Sequence, residues 1–360
     1  MIDSDAKLRD WLPALKTAEW VSLDTEADSL HAYPEKLCLV QISVPAGDYL
    51  IDPLAPVNLS PLWTALRHRE LVLHGADYDL RLFQRNCRFV PDAVFDTMIA
   101  ARLLGCARFG LSDLVEQFLG VKLEKGPQKA NWGRRPLTER MEIYACNDTR
   151  YLRPLDEQLR SQLAAKGRLE WQRQCCRRLI ADCAAGRLPD DNLVWRVKGS
   201  NKLDRAGLAV LRELWRWREG EAVAANRPPF FILSHEALFL LAAAAVEGLS
   251  VEDLIPRHLS PRRREGIHRA VAAGLAVPKS HHPDWIRSNV QRPSESIKRR
   301  FHELEKRRDH RAKELQMDPT LIAPRATLLA LATDWDKCQC DLMDWQRELL
   351  IEPKRQPAGH

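Results

Sequence analysis

The sequence predicts an α/β domain built on a mixed sheet, followed by two all-α helical domains. Three observations lead there. Short segments rich in β-formers crowd the first 75 residues, helical periodicity takes over after Thr97, and residues beyond 200 repeat themselves at a fixed offset. A chain of 360 residues has room for two or three such units.

Residues 19–27 (EWVSLDTEA), 37–44 (LCLVQISV) and 48–52 (DYLID) are short, rich in Val, Ile, Leu and Tyr and joined by short connections, which predicts an antiparallel meander. Strand-like LVLHG at 71–75 then leads into a helix over 78–86, and helical spacing dominates from Thr97 to Leu163. Strands followed by alternating units make a mixed sheet in a domain spanning 1–184. Residues 185–202 (AGRLPDDNLVWRVKGSNK) mix Gly, Pro, Asp and Asn with few apolar positions and read as a linker. Beyond it, residues 211–242 align without gaps on 301–332 at an offset of 90, with nine of 32 positions identical, among them Leu214/Leu304, Arg218/Arg308, Pro229/Pro319 and Leu238/Leu328. Each copy reads as a helix, a Pro-marked break and a second helix opening near Ser234 or Pro324. The expected modules are 203–280 and 281–352.

Composition narrows the class. With 45% hydrophobic and 29% charged residues the chain is a soluble globular one. Its longest apolar run, Ala237 to Val246, is ten residues, half of the roughly 20 that cross a bilayer. The N-terminus, Met1-Ile2-Asp3-Ser4-Asp5, has no apolar core and excludes a secretory signal. Nine cysteines without a CxxC pair read as reduced thiols in a cytoplasmic protein. Residues 1–170 carry 22 Lys+Arg against 24 Asp+Glu, a net of −2, and the remainder carries 33 against 25, a net of +8. That split suggests a back half that meets a polyanion.

Several acids stand out. In the first strand Trp20, Ser22, Asp24 and Glu26 fall on one face, so two carboxylates lie side by side and need a cation or solvent to be tolerated. Asp77 and Asp79 both lie where a strand gives way to a helix, at the edge where open α/β sheets place their sites, and either one also suits an N-cap. Tyr144 and Asp148, four apart on a helix, share a face. Taken singly, each of these is more often a solvated or packed residue than a functional one.

Taken together, Asp24-Thr25-Glu26, Asp79 after a His-Gly-Ala turn, and Tyr144-x3-Asp148 resemble the DEDD superfamily of 3′–5′ exonucleases, in its tyrosine subgroup. Phe95-Asp96-Thr97, Gly110-Leu111-Ser112-Asp113-Leu114 and Asn131-Trp132-Gly133-Arg134-Arg135-Pro136-Leu137 resemble the ribonuclease D family within it, and the repeated modules resemble HRDC domains. The resemblance runs from about residue 18 to about residue 350. It implies a ribonuclease H-like mixed sheet, with Asp24, Glu26, Asp79 and Asp148 as metal ligands and Asp24 as the bridging one. The third acid falls on Asp79 because it directly precedes Leu80 and the helix. Ala27 and Asn131 depart from residues often found in relatives, a bulkier side chain and an aspartate.

Four carboxylates at one sheet edge suit two divalent cations, and an all-oxygen set favours Mg²⁺ or Mn²⁺ over zinc. Tyr144, one turn before Asp148, is placed to orient a water, with proton acceptance second. Lys125, Lys129, Arg134 and Arg135 cluster around Trp132, where cations meet phosphates and an aromatic stacks on an unpaired base. Arg262-Arg263-Arg264 and the run Lys298 to Lys313 are further phosphate candidates, whereas Trp215 and Trp217 read as packing residues. The expected activity is metal-dependent trimming of RNA from its 3′ end to 5′-mononucleotides, with tRNA precursors and small structured RNAs as implied substrates. A DNA exonuclease and a non-catalytic nucleic-acid-binding scaffold are the alternatives.

Overall fold

A computed structural model describes residues 1–124, 126–186, 190–286 and 293–351. Lys125, parts of the expected linker (187–189) and of the second module (287–292, 352) lie outside the described residues.

The chain opens with α1 (Asp5–Thr17), where Ser4 accepts the Lys7 amide as N-cap and Leu8, Trp11 and Leu15 turn inward. The expected meander follows as β1 (Val21–Ala27), β2 (Leu37–Val44) and β3 (Gly47–Ile51), all antiparallel. Then come α2 (Ser60–Arg67), β4 (Glu70–Leu73), α3 (Asp77–Cys87), β5 (Ala93–Asp96) and α4 (Thr97–Leu104). β4 and β5 run parallel to β1, which gives a mixed five-stranded sheet in the order β3-β2-β1-β4-β5. The domain is completed by α5 (Leu111–Leu119), α6 (Glu139–Arg150), α7 (Leu152–Ala165) and α8 (Leu169–Ala184). α1, α2, α8 and β5 are additions to the sequence reading.

One detail of register creates the site. β1 pairs with β4 only at Val21 and Ser22, whereas its pairing with β2 continues through Asp24 and Glu26. The C-terminal half of β1 therefore runs past the end of β4, at the point where strand direction switches. The chain leaves β4 through Gly75, at φ +69° with Met98 in the space a side chain would need, and enters α3.

The first helical module comprises α9 (Arg205–Ala225), α10 (Pro229–Ile232), α11 (His235–Val246) and α12 (Pro261–Leu275). The second comprises α13 (Glu295–Leu315), α14 (Pro319–Ile322), α15 (Arg325–Thr333), α16 (Trp335–Cys338) and α17 (Asp344–Leu350). The 90-residue offset holds in space: α9 and α13, and α10 and α14, begin and end in step. Asn226 and Gln316 close the long helices in the left-handed conformation. Arg218 and Arg308 are both buried, donate to the carbonyls of Leu233 and Ala323, and pair with Glu219 and Asp309.

The two modules attach differently. The second shares one apolar core with the α/β domain, in which Leu103, Leu152 and Leu159 join Leu304, Leu331 and Trp345. Buried Arg168 donates to the carbonyls of Leu103 and Leu315, Trp171 stacks on Trp345 with ring centroids 4.8 Å apart, and the Gln316 carbonyl fills the space beside Gly105. The first module has its own core. Trp195 and Val197, inside the stretch read as linker, belong to that core, and Trp285 donates to the Leu203 carbonyl of the same module. Tyr33 joins this module to the α/β domain, its hydroxyl donating to Glu219 at 2.5 Å and its amide to Asn226 Oδ1 at 3.3 Å. Among the described residues no helix is long and apolar enough to cross a membrane.

Candidate active site

Three elements bring the acids together. Asp24 and Glu26 alternate along the overhanging half of β1, and Asp148 comes from α6, which packs on β1, β2 and β3. One carboxylate oxygen from each of these three lies within 4.8 Å of the others. α6 is held in register by Thr149, whose hydroxyl meets Ser43 at 2.8 Å, and by Arg150, paired to Asp48 at 2.6 Å. Asp79 enters from α3 and is buried, with the Thr25 hydroxyl donating to its Oδ1. Asp77 turns the other way, exposed and paired with Arg81 at 2.8 Å.

The Phe95-Asp96-Thr97 motif explains how Asp79 is aimed. Buried Asp96 caps α4 through the amides of Met98 and Ile99, and also accepts the amides of Gly75 and Ala76 at 3.1 and 2.8 Å. One carboxylate thus ties the turn after β4 to the start of α4 and fixes the direction in which α3 leaves. Sequence reasoning quoted this motif without a role for it, and it missed Thr25 as a partner of Asp79.

The electrostatics are those of uncompensated crowding. Burial, followed by the charges of Asp79, Asp148 and Glu26, holds the Asp24 carboxyl well above the usual carboxylate range. Burial, then Asp148 and Asp79, pushes Glu26 up to about 9. Burial raises Asp79 and Asp148 to about 7 each. No Lys, Arg or His among the described residues pairs with any of the four, so the cluster lacks a counter-charge of its own. An all-oxygen, half-buried set with this deficit fits a hard divalent cation.

Tyr144 lies one turn before Asp148, with its hydroxyl between Asp148 and Gln128. Burial, then the Asp148 charge, pushes its hydroxyl pKa upward, so the phenol stays protonated and donates. Its ring is boxed in. Trp132 lies behind it at 6.2 Å between centroids, and any side chain at Gly126 would overlap it. A cavity of about 430 Å³, lined by Leu111, Gln128, Tyr144, Asn147 and Asp148, opens beside the acids.

The expected RNA-contacting residues divide. Lys129 and Arg134 are exposed on the loop before α6, and the Lys129 carbonyl meets His31 Nε2. Trp132 is a correction: it is fully buried among Cys38, Leu50, Leu137 and Met141, so neither ring face is open to a base. Arg135 is a second. Its guanidinium grips Asp52 through two hydrogen bonds of 2.5 and 2.6 Å and also donates to the carbonyls of Cys38 and Trp132, which makes it a strut between loop and sheet. Arg262 and Arg263 pair with Glu221, and Arg264 with Glu252, whereas Arg299, Arg300, Lys306 and Lys313 are exposed. Trp217 packs against the first module's core, as does Trp215. Residues 203–352 carry 24 Lys+Arg against 22 Asp+Glu, so much of the back-half excess lies in 171–202, with 7 against 3, rather than in the modules.

Comparison with known proteins agrees with this geometry. Residues 1–164 match the family model described as 3′–5′ exonuclease, and residues 207–249 match the HRDC domain. Ribonuclease D of Gluconacetobacter diazotrophicus is 32% identical over 286 residues, covering 77% of this chain and 72% of that protein. Ribonuclease D of Xanthomonas oryzae pv. oryzae is 31% identical over 322 residues, 84% of this chain and 86% of the other. Among solved structures, Escherichia coli RNase D, described as an exoribonuclease involved in structured RNA processing, aligns with a TM-score of 0.75 at 25% identity, covering 97% of this chain and 98% of that one.

Proposed function

The chain belongs to the ribonuclease D family and is a 3′–5′ exoribonuclease, and from that premise we propose that it trims the 3′ ends of structured RNAs, tRNA precursors among them, releasing 5′-mononucleotides with the help of two divalent cations. The observation that carries the metal reading is the convergence of Asp24, Glu26 and Asp148 within 4.8 Å, beside buried Asp79, without a cationic partner among the described residues.

Asp24, Glu26, Asp79 and Asp148 would hold the cations, and the donor set suits Mg²⁺ or Mn²⁺. When bound, the cations supply Lewis-acid charge to the scissile phosphodiester. The protein's own contribution is placement. Tyr144, kept protonated by its surroundings, orients the attacking water through its hydroxyl rather than removing a proton from it. Attack on phosphorus breaks the bond to the 3′ oxygen of the preceding nucleotide, and that oxygen leaves and takes up a proton. Lys129 and Arg134, exposed on the neighbouring loop, are the phosphate contacts we retain from that loop. Nine unpaired cysteines fit a reducing, cytoplasmic compartment.

The test is digestion of RNA labelled at its 5′ end, with Mg²⁺ present. A ladder shortening one nucleotide at a time supports the proposal. Internal fragments without a ladder overturn it.

A further inference from the structure

The 90-residue repeat allows the two helical modules to be compared position by position, and one surface differs between them. In the second module Leu321 packs against the shared core, and its carbonyl accepts a hydrogen bond from Gln346. The equivalent position in the first module is Phe231, which with Phe230 stands on the surface, each 52% exposed. The two rings lie side by side, centroids 4.5 Å apart, and the Arg227 guanidinium rests 5.5 Å from the Phe231 centroid. A pair of exposed phenylalanines under an arginine is costly in water and, unlike isolated surface apolar residues, calls for an occupant.

The surroundings say which occupant. Phe230 lines a groove of about 560 Å³ whose other wall is the β1–β2 connection of the nuclease domain, through Ser29, Tyr33 and Pro34, with Arg85 at its side paired to Glu35 at 2.5 Å; Phe231 and Arg227 stand beside Phe230 rather than in the lining. That connection leaves β1 after Ala27, one residue beyond Glu26, and buried Asp28 holds its far end by accepting the Lys36 amide at 2.7 Å. Glu35 in the same wall accepts the Tyr78 hydroxyl at 2.8 Å, and Tyr78 immediately precedes Asp79. The same connection also meets the loop beside the active site, where His31 Nε2 lies 3.1 Å from the carbonyl of Lys129, the neighbour of Gln128 in the cavity lining. Aromatic faces accept any base without sequence preference, and arginines neutralise the backbone that joins the bases.

We propose that Phe230 and Phe231, with Arg227, form a base-stacking platform at the edge of the groove between the first helical module and the nuclease domain, holding unpaired nucleotides upstream of the scissile 3′ end. The proposal rests on the exoribonuclease reading and adds to it where the single strand runs. The contacts of Tyr33 with Glu219 and Asn226 fix the width of the groove by pinning the module to the domain. A substrate too short to reach the platform gains nothing from it, whereas a longer one gains stacking.

The experiment is a length series of 5′-labelled oligoadenylates, from dinucleotide to dodecanucleotide, with wild type and the double variant Phe230→Ala/Phe231→Ala. The wild type should show KM falling with length. The double variant should lose that fall, with KM for the longest oligomers raised roughly tenfold, while turnover of the shortest is unchanged. Both rings are over half exposed, so their removal leaves no buried cavity, and Phe230→Leu/Phe231→Leu, which keeps apolar bulk without a π face, should behave like the alanine pair. Phe230→Trp/Phe231→Trp should restore the length dependence, and Arg227→Ala should lower the salt slope of binding by about 0.7. A double variant indistinguishable from wild type on long oligomers overturns the platform and leaves the nuclease assignment standing. A wild type inactive on every length would instead sink the assignment itself.

Discussion

Loading the four-acid cluster with Mg²⁺ or Mn²⁺ should expel protons, and the structure says how many. Without a cation, Glu26 is held near 9 and Asp79 and Asp148 near 7. At pH 7 Glu26 then carries about one proton and the two aspartates about half a proton each, about two in all. At pH 8 the three acids retain about one between them. Calorimetric titration of the metal-free protein, in non-chelating buffers of different ionisation enthalpy, measures the protons released per saturation. We expect about two at pH 7, falling as the pH rises. The stability consequence has a definite sign. Folded-state pKa values raised above the unfolded ones contribute stability that is complete below about pH 4 and is lost as pH climbs through about 7 for the aspartates and about 9 for Glu26. The metal-free protein should therefore melt lower at pH 8 than at pH 6, and the cation should raise Tm more at pH 8. Metal binding without proton release between pH 6 and 8 would refute the argument that these carboxylates are crowded and uncompensated.

Asp24→Asn, Glu26→Gln, Asp79→Asn and Asp148→Asn should each reduce kcat on RNA by about a hundredfold or more, with RNA affinity within a few-fold in a filter-binding assay. Asp77→Ala, which loses only an exposed pair with Arg81, should be mild. Severe loss in Asp77→Ala with an active Asp79→Asn would reverse the third-acid assignment. Gly126→Val should displace the Tyr144 ring and lower kcat more than it changes KM, read in steady-state assays on a short oligomer. Trp132→Ala should cost about 3–5 kcal/mol of stability by denaturant melting and leave the salt slope of RNA binding unchanged, whereas Lys129→Ala and Arg134→Ala should each lower that slope by about 0.7. A fragment ending at residue 286 lacks Leu304, Leu331 and Trp345 and leaves Leu103, Leu152 and Leu159 uncovered, so it should melt without a cooperative transition.

The parts of the fold legible in the sequence are those written in local pattern. The meander was readable because Leu37–Val44 is rich in Leu, Val and Ile with short connections on both sides. The repeat was readable because Leu214/Leu304 and Arg218/Arg308 recur in equivalent buried places. β5 was not readable, since four residues carry too little alternation to distinguish a strand from the cap of the helix that follows. α1 is interrupted by Pro13 and mixes charge with apolar residues, which hides its buried stripe. At the site, alternation placed Asp24 and Glu26 on one face, but Asp77 and Asp79 were equivalent to local pattern. Their difference lies in the exit angle of α3, which is set by Asp96 some twenty positions away. The error at Trp132 has the same origin. Its neighbours Lys129, Arg134 and Arg135 suggest a nucleic-acid loop, and only tertiary packing reveals that the ring is core and that Arg135 supports it from within.

The core shared between the nuclease domain and the second module has a consequence for how the protein is made. All four acids have left the ribosome by residue 148, yet Leu304, Leu331 and Trp345, which cover Leu103, Leu152 and Leu159, are translated some 150 to 200 residues later. The apolar flank of the nascent nuclease stays open throughout that interval and offers a surface to chaperones. A chain ending before Trp345 would hold all four acids with that flank unsealed, and should be a target for proteolysis. The helix Asp344–Leu350 closes that flank last, so the core of the nuclease domain is completed only after the second module has been synthesised.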